Sequence, residues 1–126
     1  MKTNTNGGTV LVVDDDAAVR KLAARILDRQ GFRVLEAEDG EEALGAARSA
    51  DRVDLLLSDL VLPRLNGEDL ARRLRSASPG LPVIFMSGFG QDELESMGIR
   101  TVGAAYMAKP FTADVLALMV RGALNR

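Results

Sequence analysis

The 126 residues of this chain include no cysteine and no histidine. Without cysteine there is no disulfide framework, no cysteine-ligated zinc and no thiol nucleophile, so packing alone has to stabilise the fold. Without histidine there is no histidine general base and no phosphohistidine formed within the chain. Any histidine chemistry in which this sequence takes part must therefore come from a partner protein.

Long apolar runs and a strong positive charge are also absent. No run approaches the ~20 residues that span a bilayer, and residues 1–8 lack the apolar stretch of a signal peptide. The formal net charge is -2, which offers no basic surface for a phosphate backbone. We expect a cytoplasmic protein without direct contact to a membrane or to nucleic acid.

What is present is enough apolar sequence for one hydrophobic core. Hydrophobic residues make up 47% of the chain, which fits a single domain over residues 9–126. Residues 1–8 are rich in Asn, Thr and Gly and are predicted to be a flexible tail. Five short β-prone runs follow, separated by helical stretches: Thr9–Val13, Phe32–Ala37, Val53–Ser58, Pro82–Met86 and Ala104–Ala108.

Two of these runs are apolar without interruption, which is typical of parallel strands covered on both faces. Together with the intervening helices, they predict an α/β fold of the (βα)5 type, with a doubly wound parallel sheet of five strands. Such sheets bind ligands beyond the carboxyl ends of their strands. Polar residues at those ends are therefore the candidates for function.

Helix boundaries are marked by residues that satisfy free backbone groups. The first helix is predicted over Ala17–Gln30, with Gly31 in a left-handed position after it and one apolar face of Ala18, Leu22, Ile26 and Leu27. Asp16, Asp39 (with Glu42 completing a capping box) and Thr112 are predicted N-caps, and the third helix follows Gly67. A short fourth helix is expected over Gln91–Met97, with Leu94 and Met97 as buried anchors.

Charged and hydroxyl side chains end four of the five strands: Asp14, Asp15 and Asp16, then Ser58 and Asp59, then Ser87, then Lys109. Each residue taken alone has an ordinary structural explanation as a cap or a solvated charge. Taken together, the carboxylates would repel one another unless a cation lay among them, and all-oxygen ligands suit Mg²⁺. With Asp59 as nucleophile, the metal, Ser87 and Lys109 offer one group for each equatorial oxygen of a transferred phosphoryl group.

Five motifs occur in the order typical of one family: Val-Leu-Val-Val-Asp-Asp-Asp, Asp-Leu-Leu-Leu-Ser-Asp, Leu-Pro-Arg-Leu-Asn-Gly, Phe-Met-Ser-Gly and Met-Ala-Lys-Pro-Phe. From Thr9 to Leu124 the chain resembles the receiver domain of two-component response regulators. The resemblance implies a flavodoxin-like fold with strand order 2-1-3-4-5. It also implies that the phosphoryl donor is a histidine kinase or a histidine phosphotransfer protein, and that the chain catalyses only its own phosphorylation and dephosphorylation.

The same resemblance implies a role for individual residues. Asp59 is the phosphoacceptor; Asp15 and Asp59 ligate Mg²⁺ directly, Asp14 does so through water, and Val61 offers its backbone carbonyl. Ser87 and Lys109 bind the phosphoryl group, Ser87 and Tyr106 are switch residues, and the Lys109–Pro110 peptide is cis. A downstream protein target is expected to bind the fourth helix, the fifth strand and the last helix.

Two alternatives remain open at this stage. A phosphatase of the haloacid-dehalogenase type also uses an aspartyl nucleophile and Mg²⁺, although its nucleophile follows the first strand, where Asp14-Asp15-Asp16 lacks the expected Gly-Thr continuation. A pseudo-receiver that only binds partners would not require the complete acid, hydroxyl and lysine set. The sequence Ser87-Gly88-Phe89 and the end of the chain after the last helix resemble receivers that belong to, or cooperate with, hybrid sensor kinases.

Overall fold

The computed structural model describes residues 7–99 and 105–125, in which strands and helices alternate. The strands are β1 (Thr9–Val13), β2 (Arg33–Ala37), β3 (Leu55–Asp59), β4 (Val83–Ser87) and β5 (Ala105–Ala108). The helices are α1 (Ala17–Arg29), α2 (Gly40–Ser49), α3 (Gly67–Ala77), α4 (Gln91–Ser96) and α5 (Ala113–Leu124). Within the two described ranges, no helix combines the length and the apolarity needed to cross a bilayer.

The five strands form one parallel sheet in the order β2-β1-β3-β4-β5. The predicted fold class and strand order are therefore confirmed. Because β1 and β3 are neighbours in the middle of the sheet, the residues after Val13 and the residue Asp59 emerge side by side at its carboxyl edge. The strand order itself thus brings the predicted acidic groups together.

The apolar strands divide their side chains between two cores. Leu11, Val13 and Leu56 point to one face, where they pack with buried residues of α2, α3 and α4. Val10 and Val12 point to the opposite face, with buried residues of α1 and α5. Alternation within an uninterrupted apolar run therefore covers both faces of the sheet, as expected for parallel strands.

Side chains cap four of the five helices. The carboxylate of Asp16 accepts hydrogen bonds from the amides of Ala18 and Val19, and Asp39, Asn66 and Thr112 each accept one from the amide three residues on. The predicted caps Asp16, Asp39 and Thr112 are confirmed, while Asn66 was not predicted. Glu42 closes its box on the amide of Glu38, one residue before the expected Asp39. Gly31 has a φ of 93°, as predicted for the residue after α1.

Several predicted boundaries and faces differ from the structure. Strands β2, β3 and β4 begin one or two residues later than predicted, and β3 and β4 each extend one residue further, to Asp59 and Ser87. Helix α1 buries Ala23 and Leu27, whereas Leu22 is 46% exposed. The helix carries apolar side chains on all its sides, so tertiary packing decides which side is buried. Met97, predicted to be buried, is 47% exposed, since α4 ends at Ser96.

The described part of the chain begins at Gly7, within the predicted tail. Residues 1–6 of the predicted tail and Ala104 of the predicted fifth strand lie outside the described residues. Gly8 already takes part in the fold, since its carbonyl accepts a hydrogen bond from the amide of Arg33 at 2.9 Å. The sheet's hydrogen bonding therefore begins one residue before β1.

Candidate functional site

The turn after β1 directs three consecutive aspartates to three different environments. Asp14 is fully buried, and its amide donates to the carbonyl of Ala37. Asp15 is exposed, and Asp16 faces the first turn of α1 as its N-cap. The amide of Asp16 also donates to Oδ1 of Asp14 at 2.9 Å, which orients the buried carboxylate. Only Asp14 and Asp15 of this group are left to face the end of β3.

Asp59 is the last residue of β3 and is 8% exposed. Its Oδ1 accepts a 3.3 Å hydrogen bond from the amide of Val61. Gly67 lies so close behind it that a Cβ at this glycine would stand 2.4 Å from the backbone oxygen of Asp59. The loop between β3 and α3 thus closes directly against the backbone of the predicted acceptor. This contact was not predicted from the sequence, where Gly67 marks the residue before the third helix and the end of one of the five motifs.

Lys109 joins two of the carboxylates. Its Nζ lies 2.7 Å from Oδ2 of Asp14 and 3.1 Å from Oδ2 of Asp59. The lysine is held in place through its amide, which donates to the carbonyl of Ser87 at 2.8 Å, and the Lys109–Pro110 peptide that follows is cis. Side chains from β1, β3 and the end of β5 therefore meet at one point.

The local electrostatics follow from this burial and pairing. Burial raises the pKa of Asp59, and the charge of Asp14 adds to this, while the ammonium of Lys109 opposes both. Burial alone would lower the pKa of Lys109, but its close contacts with the carboxylates of Asp14 and Asp59 outweigh burial and raise it. Three carboxylates against one ammonium leave an excess of negative charge in the pocket.

This excess fits a divalent cation with oxygen ligands. One carboxylate oxygen from each of Asp14, Asp15 and Asp59 lies within 4.8 Å of the others. Oxygens on opposite sides of an octahedral Mg²⁺ are about 4.2 Å apart, because each lies about 2.1 Å from the ion. Oδ2 of Asp14 is buried and accepts no well-aligned hydrogen bond, although it contacts Lys109. The donor set and this incompletely satisfied atom both suit Mg²⁺.

The predicted switch residues meet at the backbone of Phe89. Ser87 Oγ accepts a hydrogen bond from the amide of Phe89 at 2.9 Å and lies 3.4 Å from its carbonyl oxygen. The hydroxyl of Tyr106 donates to the same carbonyl at 2.6 Å. In this state, the hydroxyl of Ser87 is engaged by its own loop, and Tyr106 holds that loop from β5.

Arg20 also contacts the site, although sequence reasoning did not identify it. Its Nη1 donates to the backbone carbonyl of Asp14 at 2.9 Å, and its Nε to Oε1 of Glu36 at 3.2 Å. The available signal was an arginine four residues after the N-cap Asp16, on the side of α1 that faces β2. Periodicity alone does not distinguish that position from the neighbouring Lys21.

Comparison with known proteins gives a consistent result. Residues 10–121 match the family model described as the response regulator receiver domain. The chain is 36% identical over 118 residues to the probable transcriptional regulatory protein TcrX of Mycobacterium tuberculosis, a match that covers 94% of this chain and 50% of TcrX. The chain spans about half the length of the curated relatives it matches.

Solved structures agree with this match. The receiver domain of the hybrid histidine kinase CckA superposes with a TM-score of 0.78 at 38% identity, covering 94% of this chain and 100% of that one. A receiver domain protein from Clostridium thermocellum gives a TM-score of 0.80 at 28% identity, covering 94% and 95%. The sheet order, the strand-end carboxylates and these matches agree: the chain belongs to the response regulator receiver domain family of two-component signalling.

Proposed function

We propose that this receiver domain accepts a phosphoryl group from a partner's phosphohistidine onto Asp59 and then presents a changed surface to a downstream protein. The observation that carries the proposal is the position of Lys109, whose ammonium contacts Asp14 and Asp59 in a pocket with excess negative charge. In this proposal the carboxylate of Asp59 is the nucleophile, and the oxygens of Asp14, Asp15 and Asp59, which lie within 4.8 Å of one another, bind the metal. The reaction would take place in the cytoplasm, where the kinase presents its phosphohistidine.

In the transfer, an oxygen of the Asp59 carboxylate attacks phosphorus as the phosphorus–nitrogen bond to the partner's imidazole breaks. The electron pair of that bond leaves with the imidazole nitrogen, and the new phosphorus–oxygen bond makes an acyl phosphate. Lys109 turns from Asp59 towards one phosphoryl oxygen, and Ser87 leaves the backbone of Phe89 to donate to another. Asp59 needs no proton removed, because it reacts as the carboxylate.

Asp14, Asp15, Asp59 and the backbone carbonyl of Val61 would hold Mg²⁺. The ion supplies charge stabilisation for the phosphoryl oxygens when it is bound. Asp14 already has its amide and Oδ1 fixed by hydrogen bonds, and its Oδ2, which contacts the ammonium of Lys109 at 2.7 Å, would take this role. Asp15 is exposed and can turn towards the ion without breaking a buried contact.

The alternatives from the sequence lose their support. Membership of the receiver family argues against a phosphatase of the haloacid-dehalogenase type, and TcrX is named as a transcriptional regulator rather than as an enzyme. A pseudo-receiver would not require Lys109 to lie between two carboxylates. The catalysis we propose is limited to the formation and hydrolysis of the chain's own acyl phosphate.

The downstream partner is proposed to be a protein that binds α4, β5 and α5. Five large apolar side chains are exposed among the described residues, and four of them lie on or next to these elements: Phe89, Met97, Val115 and Leu118. Leu118 is the most open of the five at 73% exposure. Exposed apolar side chains on these elements favour a protein contact where they adjoin one another.

The test is phosphotransfer from a purified phosphohistidine protein to the wild type and to two matched variants. Asp59→Asn removes the anionic nucleophile with little change of shape and should abolish labelling. Asp51→Asn makes the same chemical change at an exposed position before β3 and should be labelled like the wild type. Labelling of Asp59→Asn at the wild-type level would overturn the assignment of the acceptor.

A further inference from the structure

Arg20 fastens the turn that carries the acidic residues to the neighbouring strand. Its side chain is only 14% exposed, and its guanidinium reaches the backbone carbonyl of Asp14 and the carboxylate of Glu36 on β2. The amide of Asp14 is held from the same strand by the carbonyl of Ala37 at 3.2 Å. Both backbone polar groups of Asp14 are therefore fixed by partners outside the turn.

A backbone fixed at both polar groups sets the direction of its side chain. The carbonyl of Asp14 belongs to the peptide that joins Asp14 to Asp15. A guanidinium bound to this carbonyl therefore fixes the orientation of that peptide plane, and with it the backbone of Asp15. Hydrogen bonds from a cation are the stronger kind, and the fork of an arginine holds two acceptors at once. We propose that Arg20 is a positioning residue of the Mg²⁺ site, held in place by Glu36, an inference that rests on the function proposed above.

Charge alone predicts the opposite effect of Arg20 on the metal. A cation near a cluster of carboxylates repels Mg²⁺, so removing it would tighten binding. Glu36, 3.2 Å from the guanidinium, stays in place when Arg20 is replaced, so it does not remove this charge effect, and only a variant that keeps the positive charge isolates positioning. If positioning outweighs repulsion, loss of Arg20 weakens Mg²⁺ binding. The sign of the change in affinity distinguishes the two effects.

Lys21 provides an internal control. Its ammonium also pairs with Oε1 of Glu36, at 3.4 Å, but its side chain is 65% exposed. In the structure, its hydrogen bond goes to Glu36 and not to the turn. Arg20 and Lys21 thus share a partner and a charge, and they differ in their contact with the carbonyl of Asp14.

The experiment is a Mg²⁺ titration of the unphosphorylated chain followed by backbone amide chemical shifts, together with urea unfolding of each protein. Arg20→Met keeps the apolar stem and should raise the dissociation constant for Mg²⁺ about tenfold. Loss of a group that orients a metal ligand weakens metal binding by about 10–100-fold, and we expect the lower end of this range. Arg20→Lys keeps the charge and should also bind more weakly, since one ammonium does not replace the fork. Lys21→Met should stay within about twofold of the wild type, as expected for an exposed ion pair.

The outcomes separate the two proposals. A dissociation constant in Arg20→Met and Arg20→Lys that is unchanged or lower, whatever the change in unfolding free energy, overturns the positioning role. If Arg20→Met does not fold, Arg20→Lys alone decides. A wild type that does not bind Mg²⁺ overturns the metal site and the role of Arg20 with it. A failure of Asp59 to accept phosphate while Mg²⁺ binding still depends on Arg20 would overturn only the proposed phosphotransfer.

Discussion

The hydroxyl of Tyr106 donates a 2.6 Å hydrogen bond to the backbone carbonyl of Phe89. The amide of Phe89 donates a hydrogen bond to Ser87 Oγ at 2.9 Å. Phe89, in the loop between β4 and α4, therefore binds both predicted switch residues. Movement of Ser87 towards a phosphoryl group would release the amide of Phe89 and loosen the loop. Tyr106 would then lose a well-placed acceptor, and the change would spread to β5.

Helix α4 is the element best suited to respond to that change. It has six residues and one buried side chain, Leu94, and its N-cap Gly90 provides no side-chain acceptor. Helices this short depend on packing, and local opening takes little free energy where few apolar contacts form. We expect amide hydrogen exchange to be much faster in Gln91–Ser96 than in Ala17–Arg29, and to change when beryllofluoride mimics the phosphoryl group. Tyr106→Phe should speed exchange in α4 further.

Equal protection of α1 and α4, together with indifference to beryllofluoride, would contradict this mechanism. The prediction covers the described part of the segment, up to Ile99, because residues 100–104 lie outside the described ranges. Exchange in α1 is the control within the same molecule, since α1 packs Ala23 and Leu27 into the core.

The ionised carboxylate of Asp59 should lower the stability of the fold. Burial and Asp14 raise its folded-state pKa above the ordinary 3.8, so the folded state binds the proton more tightly than the unfolded state. Stability is therefore lost as the pH rises from about 3.8 through the folded-state pKa, and the loss persists at neutral pH. In metal-free buffer at pH 7, we expect Asp59→Asn to raise the free energy of unfolding by about 1 kcal/mol.

Urea unfolding as a function of pH checks this sign. The difference between Asp59→Asn and the wild type should shrink as the pH falls through the raised folded-state pKa of Asp59, where the wild-type carboxyl becomes neutral. Asp51→Asn, at an exposed position, should show no such pH-dependent gain. An Asp59→Asn protein less stable than the wild type at pH 7 would contradict the account of the pocket.

Mg²⁺ should stabilise the folded chain through the carboxylates it binds. A ligand at ten times its dissociation constant raises the free energy of unfolding by roughly 1.4 kcal/mol, because it binds the folded state only. Asp15→Asn should fold about as stably as the wild type without metal, since Asp15 is exposed, but should lose much of the Mg²⁺ response. Thermal unfolding with and without Mg²⁺, with Asp51→Asn as control, measures this. If Mg²⁺ stabilises Asp15→Asn as much as it stabilises the wild type, Asp15 is not a ligand of the metal.

Replacement of Gly67 by alanine should destabilise the fold, whereas replacement of Gly45 by alanine should not. A Cβ at Gly67 would lie 2.4 Å from the backbone oxygen of Asp59, so alanine has to displace the end of β3. We expect Gly67→Ala to lower the free energy of unfolding by about 2 kcal/mol, a typical effect of overpacking, and to slow phosphorylation. Apart from its chain neighbours and the backbone of its own helix, no atom of the described residues lies within 4 Å of a Cβ at Gly45 in α2, and Gly45→Ala should raise the free energy of unfolding by up to about 1 kcal/mol. Similar stabilities of the two variants would show that the contact behind Asp59 is unimportant.

Sequence reasoning was most successful where local chemistry decides the structure. The runs around Leu11 and Leu56 identify buried parallel strands, and Asp16 and Thr112 cap helices because their oxygens reach free amides nearby. Once the strands are known to be parallel, their carboxyl ends share one edge. The acidic residues and Lys109 then have to lie near one another, and the structure places them so.

Tertiary packing decides what the sequence did not reveal. Apolar residues surround α1, so periodicity alone did not show that Ala23 is buried and Leu22 exposed. The contact between Arg20 and the carbonyl of Asp14 depends on how closely α1 approaches β2, and no pattern records that distance. The close approach of Gly67 to Asp59 likewise depends on the path of a whole loop.

The central claim is that Asp59 itself receives the phosphoryl group, and chemical trapping tests it most directly. Borohydride reduces an acyl phosphate to an alcohol, so a phosphorylated aspartate becomes homoserine, which tandem mass spectrometry locates by residue. After phosphotransfer from a phosphohistidine donor in the presence of Mg²⁺, we expect homoserine at position 59, and none when the donor is omitted. Homoserine at Asp14 or Asp15 instead, with unmodified Asp59, would contradict the account.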